Sequence, residues 1–449
     1  MVVGAARSGI AAAELLVRRG AEVTLADVKT AIDAAPALSA LGVQLELGTN
    51  DAAAYERADL VVMSPGVPID LPAVVRVRGR GVPVIGELEL AFRWLRGRVV
   101  AVTGTKGKST TTTLVGRMLK AAGQRVLVGG NIGVPLSSQV DQSTADTLHV
   151  VEASSFQLET TETFRPWIAA LLNFSADHLD RHPNEETYGA AKARIFANQT
   201  VHDWAVINAD DAGALSLGAH VSAQRLDYAI ERIDEAAIFV DRDFVWQRTS
   251  EGRTPLVPLS SIHLKGRHML SNVTAASAIS HAAGVPGEAM ARALEGFTGL
   301  EHVMEPVATL GGVQFVNDSK ATNVDAARRS IESFDRVVAI VGGRYKGGRF
   351  EDLAVPLESR GKGVVAIGEA TPLVRRALRG VLPFAEADSM ADAVRKALDL
   401  ARPDGVVLLA PACSSFDMFS DYADRGRTFK EEVRRLIEER GAQAVPRVE

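Results

Sequence analysis

Short apolar runs rich in valine, isoleucine and alanine recur along the chain, and each stops at a glycine or a polar cluster: "RVVAVTG", "TLHVVEASS", "WIAALLNFS", "RVVAIVGG" and "GVVLLAPACSS". Runs that are apolar at consecutive positions, without alternation, suit strands buried on both faces of a parallel sheet. Between them lie stretches with helical spacing. From Thr110 to Ala122, residues Leu114, Val115, Met118, Leu119 and Ala122 form one stripe, and Gly123 stands where a C-cap is expected. This alternation predicts an α/β class with parallel sheets. A chain of 449 residues is too long for one core. "VVGAARSGIAAAELLVRRG", "AEVTLAD" and "ADLVVMSPG" make a first doubly wound unit, the strand "RVVAVTG" opens a second, and the pattern restarts near Gly296–Leu300. Three domains are expected, at 1–92, 93–298 and 299–449, with a small side sheet over 215–265.

The polar ends of the runs carry the candidate chemistry. "VTGTKGKST", Val102 to Thr110, ends like a phosphate loop of pattern G-x-x-x-x-G-K-[ST], but the first position falls on Val102. Gly104 and Gly107 let the backbone approach a phosphate, and the amides of the following helix N-terminus point at it. Lys108 is expected at the β/γ-phosphates and Ser109 at Mg²⁺. The alternative is a glycine-rich turn with solvated lysines. Glu152 ends an apolar strand, at the sheet edge where ligands bind, and suits Mg²⁺. "NFSADHLDRHP" presents Asp177, His178 and Asp180 in the same way. Lys192, between alanines in "AAKARIF", reads from its pattern as a surface lysine. Asp318, Lys320, Thr322, Lys346 and Ser415 follow buried strands and are expected to face one crevice. "GAARSG" is an imperfect G-x-G-x-x-G, with Asp27 ending the next strand where a ribose-binding acid stands.

The net charge of −5 gives no reason to expect nucleic acid as a partner. With Cys413 as the one cysteine, a disulfide framework is excluded, as suits a reducing cytoplasm. The thiol reads as a small buried hydrophobe. No apolar run approaches the ~18 residues of a membrane span. The start "MVVGAARSGI" lacks the features of a signal peptide. A cytoplasmic, monomeric protein with no membrane partner is the expectation. Met1 stands three residues before Gly4, so the first strand is expected to be clipped, by a misassigned start or a trimmed chain.

"TGTKGKST", "GGNIGVP", "SSFQLE", "NFSADHLDRHP", "AAKARIF", "LKGRHMLSN", "NDSKATN" and "PACSSFDMF" occur in an order that resembles the Mur ligases over nearly the whole chain. The resemblance implies a Rossmann-like N-terminal domain, a central P-loop-type ATPase domain and a Rossmann-like C-terminal domain. "NDSKATN" and "SSFD" favour the branch that adds D-glutamate to UDP-N-acetylmuramoyl-L-alanine. ATP would phosphorylate the substrate carboxylate, and the glutamate amine would displace phosphate from the acyl phosphate. The resemblance assigns catalytic roles to Lys108, His178 and Lys192. It places ATP on Gly104, Thr105, Lys106, Gly107, Lys108, Ser109, Thr110, Asn272 and Asp318. It assigns Mg²⁺ to Ser109, Glu152, His178 and a carbamylated Lys192. The UDP-substrate falls to Arg7, Ser8, Asp27, Lys29, Gly66, Asn131 and Ser154. Glutamate falls to Lys320, Thr322, Lys346, Ser415 and Tyr422.

The chain departs from the family pattern at three positions. Val303 stands for an arginine, Tyr345 for a common Asp, and Lys106 for a usual Asn in the loop. Three other readings remain open. One is a folylpolyglutamate-synthetase-like ligase, the second a nicotinamide-dependent oxidoreductase using residues 1–90, and the third a non-catalytic nucleotide-gated binding protein.

Overall fold

The computed structural model describes the chain except residues 50–54, 176, 178–180, 263–265, 298, 346 and 444–449. It divides into two compact units, Met1–Phe297 and Thr298–Glu449, and among the described residues the strands form three sheets.

The first unit holds two sheets. One contains β1 (Val2–Val3), β2 (Thr24–Asp27), β3 (Gln44–Leu47), β4 (Val61–Met63) and β5 (Val84–Gly86) in the order β3-β2-β1-β4-β5. All its pairs are parallel. β1 is two residues long, in keeping with the short first run. The helix Arg7–Arg18 packs through Ala11, Ala12, Ala13 and Leu15; its alanines let it lie close to the strands. The order reverses between β1 and β4, which opens a crevice at their carboxyl ends.

The second sheet contains β6 (Arg98–Thr103), β7 (Arg125–Gly130), β8 (Thr147–Glu152), β9 (Ile168–Leu171), β10 (Trp204–Asn208), β11 (Gln224–Ala229), β12 (Ile238–Asp241), β13 (Phe244–Thr249) and β14 (Gly252–Pro258). Its order is β14-β13-β12-β11-β10-β9-β6-β8-β7. The short strands expected over 215–265 are attached rather than detached. β11 and β12 extend the sheet in parallel, and β12–β14 close it as an antiparallel edge. Five consecutive β10–β11 partners, Trp204 with Gln224 through Asn208 with Tyr228, make this continuity obligatory for the backbone donors. The central strands are apolar throughout, as the sequence pattern requires. β6 is buried from Val99 to Thr103, and β9 is buried at every position.

A short helix, Glu87–Phe92, joins the two sheets through two buried carboxylates. Glu87 Oε1 accepts the Ser137 N–H at 2.6 Å. Glu89 accepts the N–H groups of Glu162, Thr163 and Phe164. Burial alone pushes the Glu89 carboxyl up. Bonds from Thr163, Glu162 and Arg93 outweigh it and hold it below the usual carboxylate range.

The second unit holds β15 (Glu305–Leu310), β16 (Val313–Asn317), β17 (Val337–Gly342), β18 (Gly361–Ile367), β19 (Phe384–Ala387) and β20 (Val406–Ala412), in the order β15-β16-β20-β17-β18-β19. Only the β15–β16 pair is antiparallel. Apolar layers cover both faces. One is built around Val337, Ala339, Val341 and Leu408, the other around Val338, Ile340, Val407 and Leu409. Cys413 is buried in the first. No helix among the described residues is long and apolar enough to cross a membrane.

Candidate active site

The carboxyl ends of β6, β8 and β9 converge on one polar cluster. After β6 the chain turns through Gly104 to Gly107, and the helix begins at Lys108, two residues earlier than the apolar stripe suggests. The cause is Gly107, the N-cap, at φ +79°. A Cβ there would also lie 2.2 Å from Asn272 Oδ1. Both the left-handed backbone and the contact require glycine. Asn272, from the helix Arg267–Ala282, is thereby brought against the loop, where the family resemblance expects it to serve ATP. Gly107→Ala is expected to raise the KM for ATP about fivefold or more, because backbone strain of this kind is on the order of 1–3 kcal/mol. An unchanged KM would show that the loop does not set nucleotide affinity.

Asn173, just beyond β9, fixes the loop from outside. Its Oδ1 accepts the N–H groups of Thr105 and Lys106 (3.1 and 2.8 Å), and its Nδ2 donates to the Lys106 carbonyl. Thr105 Oγ1 donates to the Ser175 carbonyl and accepts the Ser175 N–H. Lys106 is exposed and Thr110 buried. Ser109 lies in the first turn of the helix. Lys108 Nζ donates to the carbonyls of Gly104 and Thr105, at 2.9 and 3.0 Å.

Lys192 is not a surface lysine. It is 1% exposed, in the helix Glu185–Ala193. Its Nζ donates to the Gly104 carbonyl at 2.7 Å and sits 4.6 Å from the centre of the Tyr188 ring. Periodicity could not reveal this, because its neighbours are small on both sides and the burying surface is the phosphate loop itself. Burial, then the nearby Lys108 charge, lower its pKa to about 7, with Asp177 and Glu152 opposing.

Glu152 ends β8 and is 2% exposed. One oxygen accepts the Asn131 Nδ2–H at 2.7 Å. The other, Oε2, is buried without a hydrogen-bond partner. A buried carboxylate oxygen without a donor suits a hard cation such as Mg²⁺. No cluster of three His, Cys, Asp or Glu able to hold a metal occurs among the described residues. His178, expected beside it, lies outside them.

Residues expected to hold the UDP-substrate are divided between the first sheet, with Arg7, Ser8, Asp27, Lys29 and Gly66, and the second, with Asn131 and Ser154. Asp27 is already engaged. It accepts the Ala5 N–H at 2.6 Å and the Lys29 N–H at 2.8 Å, so it pins the first glycine turn. Ser64 Oγ donates to the Gly4 carbonyl across that crevice. Arg7 reaches the Gly133 carbonyl, in the loop that carries Asn131. Ser8 is half-buried and Lys29 exposed. The carbonyl of Gly66 accepts from Arg181. Ser154 caps the helix Ser155–Leu158 in a capping box with Gln157.

In the second unit, Asp318, Lys320 and Thr322 follow β16, and Ser415 and Tyr422 follow β20. Asp318 is 6% exposed. It accepts the Met304 N–H at 3.1 Å and pairs with the Ser330 hydroxyl. Burial pushes its carboxyl up, against the Ser330 and Met304 bonds. The loop around Val303 wraps this cluster, since the Lys320 N–H donates to the His302 carbonyl. Ser319 Oγ donates to the Tyr422 carbonyl. Buried Arg425 donates to Ser319 and to the Cys413 carbonyl. Tyr345 donates its hydroxyl to the Gly348 carbonyl. Lys346 lies outside the described residues. Asn173, Tyr188, His302 and Arg425 escaped the sequence reading. Only Asn173, at a strand end beside the motif, carried a usable signal.

Family profiles described as Mur ligase MurD-like N-terminal domain, Mur ligase middle domain, and Mur ligase glutamate ligase domain match residues 1–86, 102–280 and 304–413. The chain is 46% identical to the UDP-N-acetylmuramoylalanine–D-glutamate ligase of Acidobacterium capsulatum, over 99% of this chain and 97% of the relative. It is 42% identical to the ligase of the same name from Pelotomaculum thermopropionicum, over 96% of each. Among solved structures, the UDP-N-acetylmuramate-alanine ligase MurC of Thermotoga maritima superposes with a TM-score of 0.60 at 19% identity, covering 97% of this chain and 99% of that one. That likeness speaks for the fold. With all three profiles matched in order and relatives this similar along their full length, the chain belongs to the Mur ligase family.

Proposed function

We propose that the chain is an ATP-dependent ligase that adds D-glutamate to UDP-N-acetylmuramoyl-L-alanine, a step of peptidoglycan precursor synthesis. The reading rests on one observation above the others: a buried lysine, Lys192, bonded to the phosphate loop, with the charge of the buried carboxylate Glu152, which has an unpartnered oxygen, acting on it. The nearly full-length relatives named for this activity support it. The three domains are taken as 1–92, 93–298 and 299–449.

A substrate carboxylate oxygen attacks the γ-phosphorus of ATP, and ADP leaves. The glutamate amine then attacks the acyl carbon, releasing phosphate and a proton. The chain contributes positioning and charge rather than a nucleophile of its own. Gly104 to Thr110 hold the phosphates, with Lys108 as the point charge. Asn272 and Asp318 serve the nucleoside, and Lys106 is an added cation beside the loop. Arg7, Ser8, Asp27, Lys29, Gly66, Asn131 and Ser154 receive the UDP-substrate. Lys320, Thr322, Lys346, Ser415 and Tyr422 receive glutamate. Ser109, Glu152, His178 and Lys192 would hold Mg²⁺, which when bound would neutralise phosphate charge. Lys192 joins that set as a carbamate. Its neutral amine adds CO₂ and loses one proton, which turns a buried cation into an oxygen donor. A pKa of about 7 leaves much of the amine neutral at physiological pH.

The test is phosphate release from ATP with UDP-N-acetylmuramoyl-L-alanine and a panel of amino acids. Release is expected with D-glutamate and, at most weakly, with L-glutamate. Release that ignores D-glutamate, or that needs no UDP-sugar, would overturn the assignment.

A further inference from the structure

Arg181 closes a continuous stack that runs from the crevice of the first sheet to the phosphate loop. Its guanidinium donates to two consecutive carbonyls, Gly66 at 3.2 Å and Val67 at 3.3 Å, in the loop after β4. The same group lies 4.6 Å above the Phe156 ring. Phe156 stacks on His182, with ring centres 5.2 Å apart and planes 11° from parallel. His182 is 4% exposed and bonded through Nε2 to Ser155 Oγ at 3.0 Å. It meets the Tyr188 ring, 5.2 Å away. Tyr188 then touches both ends of the phosphate loop's support. Its ring lies under Lys192 Nζ, and its hydroxyl stands 3.5 Å from Thr105 Oγ1. Lys192 itself holds the Gly104 carbonyl.

The contacts differ in geometry: Phe156 and His182 stack nearly parallel, whereas the His182 and Tyr188 rings meet at 47°. Stacked rings and a cation over a ring have narrow geometric optima. A planar guanidinium bonded to two carbonyls fixes orientation as well as distance. A shift of the 64–67 loop therefore moves Arg181, and through Phe156, His182 and Tyr188 it presses on Lys192 and Thr105. The loop after β4 lines the crevice that receives the UDP-substrate in the proposed function.

We propose that Arg181 is a positioning residue that couples occupancy of the UDP-substrate crevice to the phosphate loop, so that each ligand strengthens the binding of the other. The proposal rests on the ligase reading above. It also distinguishes coupling from a plain strut: a strut lends stability, whereas a coupler changes one ligand's affinity only when the other is bound.

The experiment measures the dissociation constant of UDP-N-acetylmuramoyl-L-alanine with and without a non-hydrolysable ATP analogue. It compares the full-length wild type, Arg181→Met and Arg181→Lys. Wild type is expected to bind the UDP-substrate at least about fivefold tighter with the analogue, the lower end of ordinary coupling. Arg181→Met keeps the aliphatic stem but loses the donors, and its ratio is expected to fall to about 1, with the ATP-analogue affinity in the absence of UDP-substrate unchanged. Arg181→Lys keeps the charge over Phe156 with a single donor point and is expected to recover part of the ratio. Phe156→Leu, which breaks the stack one step further on, is expected to behave as Arg181→Met does. A wild-type ratio of 1, or a wild-type ratio retained in Arg181→Met, overturns the proposal. A fall in melting temperature of both variants with the ratio intact likewise leaves only a strut. Failure of wild type to bind the UDP-substrate at all would instead strike the ligase reading.

Discussion

Lys192→Met is expected to lower kcat by on the order of 10³, the scale for removing a group that stabilises transferring charge, while the protein stays folded. The two halves of that result come from the same burial. Methionine fills nearly the same volume, so no large cavity opens, and it removes a cation that burial already disfavours. The folded-state pKa of Lys192 is about 7 against an ordinary lysine value of 10.5. Below about pH 7 both folded and unfolded chains carry the proton, and the folded state bears the full burial penalty. Between about 7 and 10.5 the unfolded chain binds the proton and the folded chain does not, so stability rises with pH across that window. Wild type held in CO₂-depleted buffer, with the Lys192 amine free, should show that rise in chemical denaturation, and Lys192→Met should lack it. CO₂-depleted buffer should depress wild-type turnover, and bicarbonate should restore it, faster as pH rises through about 7 because the neutral amine is the reacting form. The variant should ignore bicarbonate. A variant retaining a tenth of wild-type turnover would end the claim that Lys192 serves the reaction.

The contrast between Lys192 and Gly107 shows where the sequence was readable. Gly107 sits in a local pattern, strand then glycine loop then helix, that is legible within a few residues, although the Asn272 contact that also requires glycine is not. The parallel strands were equally legible, because burial on both faces writes itself as unbroken apolar runs. Lys192 is buried by Gly104, 88 residues away in the chain, and nothing in "AAKARIF" announces that. The resemblance to a known family supplied what periodicity could not. Asp27 shows the reverse. Its place at the end of β2 was readable, yet both its oxygens already hold backbone N–H groups of Ala5 and Lys29, an engagement no motif predicts. The attachment of strands β11 through β14 to the main sheet was hidden for a related reason: short strands reveal their length but not their partners, and the link is made by the register of β10 with β11.

Glu152→Gln is expected to raise the Mg²⁺ concentration for half-maximal turnover by about 10–100-fold, the range seen when the surroundings of a bound metal are disturbed. The substitution is chosen for what it keeps. A glutamine carbonyl can still accept the Asn131 Nδ2–H that Glu152 Oε1 now takes at 2.7 Å, so Asn131 stays in place. What changes is the position of Oε2, buried without a hydrogen-bond partner, where an amide nitrogen would put donors in place of an acceptor. Two roles for Glu152 separate on this variant. If it holds a cation, the Mg²⁺ midpoint moves and the KM for UDP-N-acetylmuramoyl-L-alanine moves much less. If instead it only orients Asn131 toward the UDP-sugar, Glu152→Gln moves neither, and Asn131→Ala alone raises that KM. Binding of Mn²⁺, followed by paramagnetic resonance with a non-hydrolysable ATP analogue present, reads the first role without turnover. Equal Mn²⁺ affinity in wild type and Glu152→Gln would remove Glu152 from the metal set and leave the orphaned oxygen to be explained by the substrate.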